Sequence, residues 1–318
     1  MIFYIFLFGS LIIGFYLSNL ISKKLNIYDF PTKRKIHHKP VLCIGGIYFF
    51  FAIFFSIIIY FLLKNFTNFA ISYVSLKFIF NLFLVSFFIL ILGILDDKNG
   101  VDSVKKIILL FIINLFFFSF MDPNLRVYKI NSLLSENISI DLIGSVILPS
   151  IIFTVFIVFL GLIDGINCIL SLISALLLIM LTPFLNYETI NFMNIVLFVL
   201  IIYLFLFIIV NYKSYFFLGN SGSMLLAFLV ALLYYKNYQE INTEIISYIE
   251  MMILSIWLII VDVLRVFAKR ISLNKSPFLA DRSHFHHILI KRYSLSKSLF
   301  IYCTLNFTPI LLILFLNT

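Results

Sequence analysis

Residues 78–98 read FIFNLFLVSFFILILGILDDK: no charge from Phe78 to Leu95, then two adjacent acids at Asp96 and Asp97. A helix needs ~20 apolar residues to cross the ~30 Å hydrocarbon layer of a bilayer, and this run supplies them. The rest of the chain repeats the pattern. Of 318 residues, 63% are hydrophobic and only 12% charged, with 40 Phe and 17 Tyr. A soluble domain carries about 25% charged residues, and disorder requires the opposite composition, so both classes are excluded. Reading each run against the span length gives about ten segments, near 2–21, 44–63, 78–95, 107–121, 142–162, 166–184, 190–210, 222–235, 247–266 and 298–316. The fourth and eighth are short. The expected fold is all-α, one polytopic membrane domain over residues 1–318. The first run lacks a basic n-region and a small-residue cleavage site and is followed by Lys23 and Lys24, so it reads as a span and not a cleavable signal. Cys43, Cys168 and Cys303 form neither a disulfide framework nor a CxxC pair.

Ten spans sort the connections into two sets. One comprises the loops near 22–43, 96–106, 163–165, 211–221 and 267–297. With Arg265 at the edge of the ninth run, it carries 18 of the 23 Lys and Arg residues. The positive-inside rule makes this set cytoplasmic and both termini external. All five histidines fall on the same side. The net charge of +9 divides into +11 inside (18 basic, 7 acidic) and −2 outside (5 basic, 7 acidic), so it reflects topology and contact with anionic lipids, not a nucleic-acid surface.

The scarce polar residues at the inner ends are the candidates for chemistry. Asp96 and Asp97 end the third run, and two adjacent carboxylates at a membrane boundary call for a cation or a proton. The bland reading is a solvated helix end. Lys105 and Lys106 follow in the same loop and suit an anionic substrate held through a metal. Asp164, in the stretch Gly161 to Asn167, is expensive between two apolar runs unless it lines a polar cavity. A plain turn aspartate is its alternative. Gly219, Asn220, Ser221, Gly222 and Ser223 open the eighth run, as a helix start that holds an anion or as small residues for close packing. The first loop, DFPTKRKIHHKP over 29–40, is basic and shaped by proline. The last, SPFLADRSHFHH over 276–287, can bind zinc, a phosphate or a sugar. Zinc lacks an evident fourth protein ligand, whereas arginine and imidazole donors fit anion or sugar oxygens. Asp262 and Arg265 read as an intrahelical pair.

In order, spacing and sidedness these blocks resemble the polyprenyl-phosphate N-acetylhexosamine-1-phosphate transferases, which are similar to the phospho-MurNAc-pentapeptide transferase of peptidoglycan synthesis. The matching blocks are Asp29-x-Pro31-x-x-Arg34-Lys35-x-His37-x-x-Pro40 with Gly45-Gly46, then Gly93-x-x-Asp96-Asp97. After these come Asp164-Gly165, Gly219-x-x-Gly222-Ser223 and the segment from Ser276 to His287. The histidine block resembles that of enzymes using UDP-GlcNAc or related sugars and lacks the His-His-His pattern of the peptidoglycan branch. The resemblance implies transfer of a sugar 1-phosphate from a UDP-N-acetylhexosamine to undecaprenyl phosphate, with release of UMP and a requirement for Mg²⁺ (or Mn²⁺). It further implies a multi-pass protein of the bacterial cytoplasmic (inner) membrane that starts an O-antigen, capsule, common-antigen or teichoic-type glycan, with a homodimer common in the superfamily. It assigns catalysis to Asp96, Asp97 and Asp164, and the metal to Asp97, Asp164 and Asn220. Substrate contacts fall to Arg34, Lys35, His37, Lys106, Asn167, Arg282, His284, His286 and His287.

Four positions depart from the pattern. Asn220 stands where the family usually has an aspartate metal ligand. Val158 and Gly161 replace asparagines, and Cys168 replaces a glycine. These motivate a second class of function, a catalytically weakened relative that binds lipid phosphate or a partner protein. A transporter is the third class, but its coupling residues belong near the bilayer midplane, and these acids cluster at inner ends.

Overall fold

A computed structural model of the chain describes residues 2–31, 39–66, 73–123, 126–130, 138–184, 190–240, 248–274 and 283–316. The protein is an all-α, multi-pass membrane protein. Seven helices of the described residues are long and apolar enough to span: α1 (Ile2–Lys24), α2 (Gly45–Phe66), α3 (Leu76–Asn99), α4 (Ser103–Phe120), α5 (Gly144–Leu162), α7 (Phe192–Tyr212) and α12 (Leu295–Leu316). The fourth run, short by hydropathy, reaches this length because its helix starts four residues earlier. There Asp102 caps the backbone N–H groups of Val104 and Lys105.

The other three expected spans are helical but differ from simple crossings. The sixth run becomes α6 (Ile169–Leu181), 13 residues followed by a 3-10 turn at Thr182–Phe184. The eighth is α8 (Gly219–Glu240), whose polar start lowers its mean hydropathy. Every residue from Met224 to Lys236 is nevertheless buried. A helix apolar all round belongs inside, and α8 is packed by α2, α3, α5 and α6. The ninth run breaks into α9 (Tyr248–Ser255) and α10 (Trp257–Ser272). Asn306 of α12 enters the break: its side-chain amide donates to the Ser255 carbonyl at 2.7 Å, and its main-chain carbonyl accepts the Trp257 indole N–H at 3.0 Å. Backbone groups freed at membrane depth need such partners. A short helix, α11 (Phe285–Arg292), precedes α12.

Buried tyrosines tie the outer helices together. The Tyr48 hydroxyl donates to the Tyr203 carbonyl at 3.0 Å, and the Tyr203 hydroxyl donates to the Ser10 carbonyl at 2.8 Å, linking α2, α7 and α1. At one end of the bundle lies a three-stranded sheet of β1 (Tyr28–Asp29), β2 (Val41–Cys43) and β5 (Phe216–Phe217). Strand β2 is central, antiparallel to β1 and parallel to β5. It fastens the base of the first loop to the segment that opens α8. Strands β3 (Lys129–Ile130) and β4 (Ile138–Ser139) pair elsewhere, antiparallel.

Candidate active site

The end of α3 turns on Asp96. Its carboxylate accepts the Val101 N–H at 2.7 Å and the Lys106 ammonium at 2.9 Å, and the Asp96 side chain is 5% exposed. The adjacent acids therefore diverge. Asp96 closes the α3–α4 turn with Lys106, while Asp97 reaches across to α8.

Asp97 Oδ1 accepts the N–H of Asn220 at 2.6 Å, and its Oδ2 accepts the N–H and hydroxyl of Ser221 at 3.0 and 2.7 Å. The first N–H groups of a helix have no intrahelical partner and carry its positive dipole end; here a carboxylate from another helix satisfies two of them. Two glycines permit the approach. Gly219 holds φ at +71°, a left-handed backbone that side chains disfavour, and a β-carbon built on it would stand 2.8 Å from Asp97 Oδ2. A β-carbon on Gly93 would strike the Ser221 backbone. Both readings of this segment thus meet in one feature: close packing of small residues, and a helix start holding an anion, the anion being Asp97.

Asp164 lies in the turn between α5 and α6. Its side chain is exposed to solvent, with protein packed closely around it. That enclosure first, then the charges of Asp97 and Asp29, push its carboxyl up to about 7. The turn is fastened to the residues before α8 at two points. The Asn167 amide donates to Ser214 Oγ at 2.6 Å, and the Asn211 side-chain oxygen Oδ1 accepts the Cys168 N–H at 2.6 Å. Asn211 also donates to the Phe216 carbonyl at 2.8 Å, at the edge of the small sheet. Cys168 adopts φ +67°.

The histidines at the start of α11 pack against this turn. A β-carbon on Gly165 would stand 2.6 Å from His286 Nε2 and 2.9 Å from His287 Nε2. The His284 and His286 rings are stacked at 5.8 Å, and His286 and His287 lie 4.3 Å apart. His286 is buried, with no hydrogen-bond partner on either ring nitrogen among the described residues. Burial, then His287 and His284, push its imidazole down to about 3, so it is neutral. His284 Nδ1 faces Asp262 Oδ2 at 2.9 Å.

The structure therefore gathers Asp97, Asn220, Asp164 and Asn167 with the row His284, His286 and His287 at one end of the bundle, with Asp96 and Lys106 bracing the α3–α4 turn beside them. Arg34, Lys35, His37 and Arg282 lie outside the described residues. Asn211 was not anticipated, since a polar residue at a span end carries no sequence mark of a cross-chain bond; Ser221 lies in the segment expected to hold an anion, and the anion it holds is Asp97. No group of three His, Cys, Asp or Glu side chains lies within metal-ligand range among the described residues.

The family model described as glycosyl transferase family 4 matches residues 79–237, half of the chain. That stretch runs from α3 to the end of the buried part of α8, and it contains Asp96, Asp97, Lys106, Asp164, Asn167 and Asn220. No curated protein matches the chain.

Proposed function

The chain belongs to glycosyl transferase family 4, the polyprenyl-phosphate hexosamine-1-phosphate transferases, and on that footing we propose that it takes an N-acetylhexosamine 1-phosphate from its UDP derivative to undecaprenyl phosphate at the cytoplasmic face of a bacterial inner membrane. An oxygen of the lipid phosphate attacks the β-phosphorus of the donor. The bond between the α- and β-phosphates breaks, and UMP leaves. The lipid-linked product begins a cell-surface glycan.

The observation that supports the proposal is that Asp97, at the start of α8, and the Asp164 turn, tied to the residues before α8 and abutting His286 and His287, lie at one end of the bundle. A lipid phosphate and a water-soluble dianion both reach such a boundary. Joining two anions demands neutralisation of charge, which preorganised cations and hydrogen-bond donors supply.

A divalent cation fits these residues by charge. The carboxylates of Asp97, at the start of α8, and of Asp164, in the turn that Asn167 ties to the residues before α8, place negative charge at one end of the bundle that a cation would relieve. Asp97 and Asp164 would hold Mg²⁺ (or Mn²⁺) with the Asn220 side-chain oxygen, and phosphates and waters would complete a shell of the kind Mg²⁺ prefers. Bound there, the ion would neutralise the donor diphosphate and the attacking phosphate. Asp97 is held in orientation by Asn220 and Ser221, and the Lys106 ion pair holds Asp96 in place. The histidines, with Arg282, serve the donor diphosphate and sugar.

Detergent-purified protein supplied with undecaprenyl phosphate, Mg²⁺ and a panel of UDP-sugars should release UMP with at least one N-acetylhexosamine donor. No turnover with any donor, before or after Asn220→Asp, overturns the proposal. One observation favours a second reading, a catalytically weakened relative: Asn220 lacks the charge of an aspartate, and the neighbouring Asp97 already accepts three hydrogen bonds.

A further inference from the structure

Asp262 has more partners than an intrahelical ion pair requires. Its side chain is 6% exposed. Oδ1 accepts Arg265 Nη2 at 2.7 Å, Arg265 Nε at 3.2 Å and the Phe285 N–H at 3.1 Å. Oδ2 meets the same Phe285 N–H at 3.0 Å and His284 Nδ1 at 2.9 Å. Arg265 in turn donates to the Ser283 carbonyl at 2.6 Å. The N-cap residue of α11 is His284, whose side chain makes no capping bond. A carboxylate from α10 therefore caps this helix, as Asp97 of α3 caps α8.

The geometry has a chemical consequence. An ionised carboxylate only accepts hydrogen bonds, so the proton on a neutral His284 must sit on Nδ1, leaving Nε2 as an acceptor. The bond on one imidazole nitrogen decides the state of the other. His284 stacks on His286, and His286 and His287 abut Gly165, next to Asp164. Displacing Asp262 would therefore alter both the tautomer of His284 and the seating of the histidine row.

Resting on the transferase reading above, we propose that Asp262 is a positioning residue of the active site: it fixes His284 with its proton on Nδ1 and clamps the start of α11 so that the histidines face the Asp164 turn.

Selective ¹⁵N-histidine labelling gives five imidazoles to observe, and a His284→Ala spectrum assigns the one in question. Wild-type His284 should show a protonated Nδ1; an unprotonated Nδ1 overturns the proposal without any assay of activity. In Asp262→Asn, the amide oxygen keeps the Phe285 N–H, while its NH₂ group faces His284 and should move the proton to Nε2. Carboxylates that orient metal-ligating histidines are worth about 10–100-fold; by that scale kcat should fall by about tenfold or more, with little change in the thermal midpoint. In a His284→Ala background, Asp262→Asn should cost no further activity. A full additional loss there, or a loss of kcat only in step with unfolding, would overturn the positioning role. Absence of turnover by the wild type with every donor would defeat the transferase reading, while the ¹⁵N shift would still report on Asp262.

Discussion

The carboxylate of Asp97, at the end of α3, accepts the backbone N–H of Asn220, the second residue of α8, at 2.6 Å, joining positions 123 residues apart. With the two bonds from Ser221 it makes one side chain both a helix cap and the anionic edge of the site. Stability and chemistry are therefore coupled at Asp97.

Asp97→Asn replaces an acceptor with a group that donates, and one of the α8 donors loses its partner. An unsatisfied buried donor costs about 1–3 kcal/mol. UMP release should fall at least ~100-fold, since a charged group at the reacting phosphates is lost, and the thermal midpoint should drop with it. Near-normal turnover would remove Asp97 from the chemistry.

Asn220→Asp adds a carboxylate beside Asp97. Without a divalent ion, like charges should lower the thermal midpoint; with Mg²⁺, an added charged ligand should reduce the concentration needed for half-maximal activity, by roughly tenfold. A titration of midpoint and turnover against Mg²⁺ tests both, and an unchanged Mg²⁺ requirement counts against Asn220 as part of a cation site.

Gly93→Ala places a methyl group against the Ser221 backbone. Overpacking of this kind costs about 1–3 kcal/mol. Because Ser221 also bonds Asp97, activity should fall together with stability. Intact stability in a melting experiment would mean that α3 and α8 can separate without loss.

Two groups outside the spans should tilt stability with pH in opposite directions. His286 is pushed down to about 3, whereas an unfolded imidazole titrates near ~6.5. Its contribution is present above ~6.5 and is lost as pH falls toward 3. Asp164 is raised from 3.8 to about 7. Its contribution is present below ~4 and is lost as pH rises through 7. His286→Phe should therefore flatten the loss of thermal midpoint on acidification below pH ~6.5, and Asp164→Asn should flatten the loss on raising pH toward ~8. A wild-type slope in His286→Phe would contradict the burial of that imidazole, and a wild-type slope in Asp164→Asn would contradict the raised carboxyl of Asp164.

Much of this was readable from residues alone, for reasons the structure makes plain. Hydropathy reports length and apolarity, so the runs that became α1, α2, α3, α5, α7 and α12 stood out. It does not report where a helix breaks. The interruption after Ser255 depends on Asn306 some fifty residues later. The central place of α8 was hidden by its polar start, and strands of two or three residues leave no periodicity to detect. Within the site, Asp97 and Asp164 were conspicuous because charge is scarce in this chain. Asp262 was not, because Arg265 three residues on offered a sufficient local partner. Its bonds to His284 and Phe285 cross more than twenty residues, a distance over which spacing carries no information.

The central claim is that a phosphate travels with the sugar. Purified protein, undecaprenyl phosphate, Mg²⁺ and a UDP-N-acetylhexosamine labelled with ³²P at the β-phosphate separate this from ordinary glycosyl transfer. The label should enter the lipid phase, in equal amount to the UMP released, and Asp97→Asn should abolish both. Label that stays in the water phase as UDP while sugar enters the lipid would contradict it.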